Sequence, residues 1–213
     1  MIGSLGASMS IVMVSLFFYV GLPSLWWQFA FRKDNPSYAN FFGLFKPKLK
    51  MAFWVLIAFF ALYLFYLFFF AGFLEKLIPA SYLASEETTA VVTTQRTASD
   101  VPAILLTAVI GNGFCVEFLY RGFILKRLKT IFSTMQAIIV CAVGLGLIQN
   151  GLYLVAGINV PWQVHLAVIF FRPAVTALFF GFLNEKIFNG SIIPSFLLRG
   201  LSNAVYALLA VVW

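Results

Sequence analysis

The chain alternates long apolar runs with short polar breaks. Six runs stand out, at about residues 4–31, 51–78, 101–125, 131–156, 162–184 and 191–213. A helix needs about 20 apolar residues to cross the hydrocarbon of a bilayer, and each run supplies them. The runs are continuous and do not alternate, which excludes a barrel of ten-residue strands. The pattern predicts an all-α polytopic bundle of about six transmembrane spans. It forms a single integral membrane domain, 1–213, with no soluble domain, internal repeat or low-complexity tract.

The polar breaks differ in charge. Residues 32–50 carry Arg32, Lys33, Lys46, Lys48 and Lys50 against Asp34. Lys126, Arg127 and Lys129 follow the third run. Residues 79–100 carry Glu86, Glu87 and Asp100 against Arg96, among many Thr, Ser and Ala. Basic loops stay on the cytoplasmic side. Residues 32–50 and 126–130 are therefore expected in the cytoplasm of a cell membrane, and 79–100 outside. With six spans, both termini fall outside. The first run has no basic flank and exceeds the length of a signal-peptide core, so it reads as a retained span. Its Trp26 and Trp27 suit a membrane interface.

Composition narrows the function classes. Hydrophobic residues make up 62% and charged residues 10%, with 26 Phe, and mean hydropathy is +0.99. A water-soluble chain of this size cannot bury so much apolar surface. A soluble enzyme, a nucleic-acid-binding domain and a disordered tail are excluded. The net charge of +7 reads as orientation and headgroup contact. The first partner is thus the lipid bilayer, with no nucleic acid. Cys115 and Cys141 lie inside apolar runs without metal-ligand spacing, so they read as free buried thiols. His165, the single histidine, follows Pro161 and Trp162 and reads as an interfacial residue. No metal site and no cofactor is expected.

Ionisable groups within spans are costly and either pair or function. Here they are Glu117 and Arg121 in the third span, Arg172 in the fifth and Arg199 in the sixth. Asn112, Gln149, Asn150, Asn184 and Asn203 accompany them, and Arg172, Asn150 and Asn112 are expected to be buried. Glu117 and Arg121, four apart, share a helix face. Gly113, one turn earlier, lets a neighbouring helix approach. Arg199 and Asn203 repeat the spacing of four. Two readings stand: an ion-pair cluster that fixes helix packing, or a functional centre. Arg172 precedes Pro173, where a kink is expected. It either joins Glu117 or meets a phosphate from the outer half.

The order of motifs resembles the CPBP family, also called Abi, of CAAX-type proteases and bacteriocin-processing enzymes. VEFLYRGFILKRL (116–128) is similar to the signature EExxxR followed by Gly. LGLIQN (145–150) stands at the FxxxH signature, and GSIIPSFLLRGLSN (190–203) at the Gly-Ser-Pro turn leading to HxxxN. FGLFKPK (42–48) resembles the cytoplasmic segment before the core. The resemblance covers about residues 40–205 and implies a CPBP/Abi-like helical core.

It also implies a catalytic set of one Glu that activates water and two His that assist. Val116 stands at that Glu, Gln149 at the first His and Arg199 at the second. Glu117, Arg121, Gly122 and Asn203 match the pattern. Valine cannot take a proton, glutamine cannot carry one, and arginine keeps its own. Glu117 sits about 100° of helix from the expected base. Glu117 and Arg121 then read as remnants of the active centre. A Glu117–Arg199 salt bridge is expected through it.

Three functions remain open. The chain is a pseudo-protease that scaffolds or regulates another membrane or cell-envelope protein. Or it is an active intramembrane endopeptidase that uses Glu117 as base on membrane-associated peptides. Or it is a bacteriocin self-immunity protein, as the resemblance also allows.

Overall fold

The computed structural model describes residues 2–34, 37–47, 49–77, 101–155, 162 and 165–212. The acidic loop 79–100 and the side chain of His165 lie outside the described residues. The described elements are helices: α1 (2–31), α2 (Tyr38–Phe42), α3 (Leu49–Leu77), α4 (101–128), α5 (Thr134–Val155), α6 (165–187) and α7 (Ile193–Val212). Each helix except the short α2 falls on one of the six apolar runs. By length and composition Ser8–Phe31, Val101–Leu128 and Thr134–Gly151 are long and apolar enough to cross a membrane, and Ala52–Tyr66 is a shorter apolar stretch.

Local chemistry sets several ends. Gln136 caps the start of α5, its Oε1 accepting from the Ser133 N–H at 3.1 Å and from the Ser133 hydroxyl at 2.8 Å. Ser37 caps α2 by accepting from the Asn40 N–H at 3.3 Å. The break expected at Pro173 is a change of register. A π-helical stretch, His165–Phe171, gives way to an α-helix that starts at Arg172. Proline has no N–H to donate backwards, which favours such a switch.

α4 is the central element. It packs on α5 and α6 through Tyr120, Leu125, Ala137, Ile138, Cys141, Ala142, Leu145 and Ala177. On another side it meets α1 and α2 through Trp27, Phe41, Phe42 and Phe118. Its third side crosses α7 at Gly113. A Cβ there would stand 3.0 Å from the Gly200 Cα, so the two backbones touch. That glycine crossing, anticipated from Gly113, brings Arg199 onto the face of α4 one turn below.

The two basic stretches share one end of the bundle. Arg127 lies over the rings of Phe41 and Phe31, at 4.2 and 4.7 Å. The Lys126 ammonium donates to the Asn40 carbonyl at 3.5 Å, and Lys129 pairs with Glu185. Residues 43–47 close this end. The Gly43 carbonyl accepts from the Ile192 N–H at 3.0 Å, and the Ser191 hydroxyl donates to the Phe45 carbonyl at 2.6 Å. Gly43 needs its glycine. Its φ is +74°, and a Cβ would come within 2.3 Å of the Gly190 carbonyl oxygen.

Candidate functional site

α4 changes register around its acidic residue. Val116 and Glu117 join two π-helical stretches, Leu106–Cys115 and Phe118–Ile124. Such stretches re-aim side chains and cluster at functional sites. Glu117 is fully buried and Arg121 nearly so. The Arg121 guanidinium lies 3.2 Å from Glu117 Oε1. Arg199, carried across by the glycine crossing, donates from Nη1 to the same oxygen at 3.0 Å. One carboxylate oxygen thus serves two guanidinium groups. The other, Oε2, is buried without a hydrogen-bond partner among the described residues. So are the Arg121 Nη1 and Nη2 atoms: the first is in ionic contact with Glu117 but poorly aligned for a hydrogen bond.

The salt bridge expected between Glu117 and Arg199 is therefore present, enlarged by Arg121. Both cysteines are free, as expected. Cys141 lies beside this cluster, its thiol donating to the Tyr120 carbonyl at 3.4 Å. Val116, at the position of the signature's first Glu, packs against the apolar cluster of α4, α5 and α6. Gln149, two turns beyond Cys141 on α5, is half-buried. Its Oε1 is buried and has no hydrogen-bond partner among the described residues. Asn203 is half-buried, one turn along α7 from Arg199.

Asn112 departs from expectation: it is exposed rather than buried. Its neighbours explain this. Gly111 faces Val12 of α1 and Gly113 faces Gly200 of α7. Asn112 falls in the sector left open between the two contacts. Arg172 and Asn150 are half-buried. Arg172 does not join Glu117. Its carbonyl accepts from the Thr176 hydroxyl at 2.7 Å and the Tyr66 hydroxyl at 3.5 Å.

The structure gives Asn184, already singled out in the sequence, a partner that was not, Ser195. Buried Asn184 donates to the Ser195 hydroxyl at 2.7 Å and ties α6 to α7. Tyr63, buried on α3, packs its ring against Phe180 of α6 at 5.2 Å. The buried Ser202 hydroxyl donates to the Leu198 carbonyl at 2.5 Å and also reaches the Arg199 carbonyl at 3.3 Å. Asn184 was visible as a polar residue in a span, but its partner Ser195 carries no spacing signal. Tyr63 is hidden among the aromatic residues of its run. No cluster of three or more metal-ligand side chains occurs among the described residues.

Chemically, the centre offers two fixed cations and one carboxylate in a water-poor interior. Arginine stabilises an anion but gives up no proton, and glutamine has none to exchange.

The model of a family described as type II CAAX prenyl endopeptidase, Rce1-like, matches residues 98–205. The match spans all three motif segments, 116–128, 145–150 and 190–203, and leaves out the loop at 42–48. No curated protein and no solved structure matches the chain.

Proposed function

Since the chain belongs to the Rce1-like family of type II CAAX prenyl endopeptidases, we propose that it is a pseudo-protease of that family. It works as a membrane scaffold or regulator that binds another membrane or cell-envelope protein. One observation carries the reading: Glu117 Oε1, the acid at the centre, is shared by Arg121 and Arg199. A general base must stand within hydrogen-bond reach of a water that also reaches the scissile carbonyl. Here the carboxylate acts as a counter-ion, Val116 is in apolar packing, and neither Gln149 nor Arg199 moves a proton. Amide hydrolysis then lacks its base and its proton donor. What the fold retains is a helical surface that a partner's helix can pack against.

In this reading the bundle spans a cell membrane six times. Residues 32–50 and 126–130 face the cytoplasm, and 79–100 face outward. The charge pattern supports that orientation, as does the shared end of the two basic stretches.

The test is a pull-down in mild detergent from native membranes, read by mass spectrometry, with wild type and Glu117→Gln side by side. A stoichiometric partner held by both proteins is the expected result. Short-lived proteins trapped by Glu117→Gln alone, with no partner on the wild type, would mean that proteolysis survives and would overturn the reading.

A further inference from the structure

Arg172 is an intramembrane cation that the centre on α4 and α7 does not absorb. Its carbonyl accepts two hydroxyls, but its guanidinium makes no hydrogen bond or ion pair among the described residues. The acids described elsewhere are taken or remote. Glu117 holds Arg121 and Arg199, Glu185 holds Lys129, and Asp34 stands in the basic loop. A charge inside a bilayer is costly and almost always takes a partner.

A cleft begins where Arg172 stands. Arg172, Val175, Thr176 and Phe179 fall at i, i+3, i+4 and i+7 of the α-helical part of α6, so they share one face. The last three line a cleft of about 130 Å³ against Leu62, Tyr63 and Tyr66 of α3. Hydrogen bonds tie Arg172 to this lining. The Tyr66 and Thr176 hydroxyls both donate to the Arg172 carbonyl, at 3.5 and 2.7 Å. These hydroxyls are thereby gathered at the Arg172 end, while Leu62 and Phe179 give the other end a hydrocarbon wall. Leu62 and Val175 are exposed, so the cleft opens on the outside of the bundle.

The direction of the cleft matches that of a lipid. About 20 Å of helix separate Arg172 from Glu185, which joins Lys129 at the basic end. Arg172 is thus past the middle of a hydrocarbon core of about 30 Å. A long side chain on a helix leans toward the N-terminus, here away from the basic end. Its stem carries the guanidinium toward the remote interface. The cleft runs the other way, toward the midplane. Phe179 lies two turns further along α6, and Leu62 precedes Tyr66 by one turn on α3. A phosphate held at the remote interface, with a chain pointing inward, is the arrangement of a phospholipid in that leaflet. An apolar cavity of about 150 Å³ takes up a benzene-sized molecule, so the cleft has room for a short length of acyl chain. A zwitterionic lipid carries its own cation beside the phosphate. The unmatched guanidinium therefore favours a lipid of net negative charge.

We propose that the α3–α6 flank binds one anionic phospholipid of the leaflet remote from the basic end. Its phosphate lies on the Arg172 guanidinium and one acyl chain lies in the cleft. This site serves the chain whether it scaffolds a partner or cleaves one.

The test uses the full chain in phosphatidylcholine vesicles with a trace of phosphatidylglycerol that carries a diazirine on one acyl chain. Illumination and peptide mass spectrometry map the labelled residues. Labels are expected around Leu62 on α3 and around Val175 and Phe179 on α6. Unlabelled phosphatidylglycerol should displace the probe from these residues about fivefold better than phosphatidylethanolamine of the same chains, the worth of one basic residue beside an anionic headgroup. Arg172→Leu should remove that difference, and Arg172→Lys should keep it. Val175→Trp, which fills the cleft mouth, should lower labelling with Arg172 in place. Equal displacement by the two lipids from wild type overturns the proposal, and that result depends on no variant. So do labels confined to the basic end, and so does a phosphatidylglycerol preference that survives Arg172→Leu. Displacement of the probe by inorganic phosphate would assign Arg172 to a free anion and reject the lipid.

Discussion

Glu117→Gln removes one negative charge and keeps the shape of the side chain. Its cost follows from the geometry. Oε1 lies 3.0 Å from Arg199 Nη1 and 3.2 Å from Arg121 Nη1. At an effective dielectric of about 20, each contact is worth about 5 kcal/mol of attraction. The two guanidinium nitrogens share that oxygen, so they stand no more than about 6 Å apart and repel by about 3 kcal/mol. Glutamine forfeits both attractions and leaves the repulsion. Relaxation and water entry reduce the raw figure to the about 3–5 kcal/mol found when one member of a buried pair is removed. Arg199→Leu behaves differently. It loses one attraction but also the repulsion and the burial of a charge, and it leaves Glu117 and Arg121 balanced one to one. Its cost should stay near 1 kcal/mol. The double variant should then be more stable than Glu117→Gln alone, by part of the relieved repulsion. It should not reach wild type, because Arg121 remains buried without a counter-charge. Tryptophan fluorescence during heating in detergent reads this order. At about 2–4 °C per kcal/mol for a chain of this size, Glu117→Gln should lower the midpoint by roughly 6–20 °C. Equal losses from the two single variants, or losses that simply add in the double, would refute the three-charge account.

Two glycine substitutions separate close packing from helix propensity. Gly113→Ala places a methyl 3.0 Å from the Gly200 Cα and should cost about 1–3 kcal/mol by overpacking. Gly144→Ala meets nothing within 4 Å and should gain up to about 1 kcal/mol of helix propensity. The same heating experiment checks both, and a Gly113→Ala as stable as Gly144→Ala would rule out the close crossing. Gly43→Ala combines a left-handed backbone with a clash against the Gly190 carbonyl, for a cost of about 1–3 kcal/mol. Released from its dock, the loop should be cut faster after half-buried Phe45 by chymotrypsin, and an unchanged cutting rate would show that the cap does not hold this end.

Much of the fold was legible because long apolar runs have one solution in a bilayer. A chain that cannot bond its backbone to lipid must close its hydrogen bonds within helices. The six runs and the six long helices found among the described residues therefore coincide to within a few residues. The ion pair was legible too, since Glu117 and Arg199 were charges in spans with few partners to choose from. What stayed hidden was direction. Asn112 lies in an apolar run, and hydropathy cannot say which of its flanking glycines meets which helix. The π-helical stretches around Val116 and Glu117 carry no composition signal, yet they set the side on which each residue falls. Ser195 gains its meaning from Asn184 on the preceding helix, and Tyr63 from Phe179 and Phe180 far along the chain.

The replacements at the three signature positions act on one quantity. The motif pattern places two carboxylates and one arginine on α4, with neutral histidines opposite, for a net negative charge. In this chain Val116 withdraws one carboxylate and Arg199 adds one cation. The balance at the same depth is now two guanidiniums against one carboxylate. Such a centre attracts anions where the signature set would repel them. It also binds its remaining acid in place, because releasing Glu117 would leave two buried cations facing each other. The crossing at Gly113 and Gly200 is what makes this exchange possible. Without side chains there, α7 comes close enough for an arginine at 199 to reach an acid at 117. A bulkier crossing would leave Arg199 stranded in the apolar interior. Substitution at 199 is thus tied to the glycines beside it, and loss of either feature should destabilise the other.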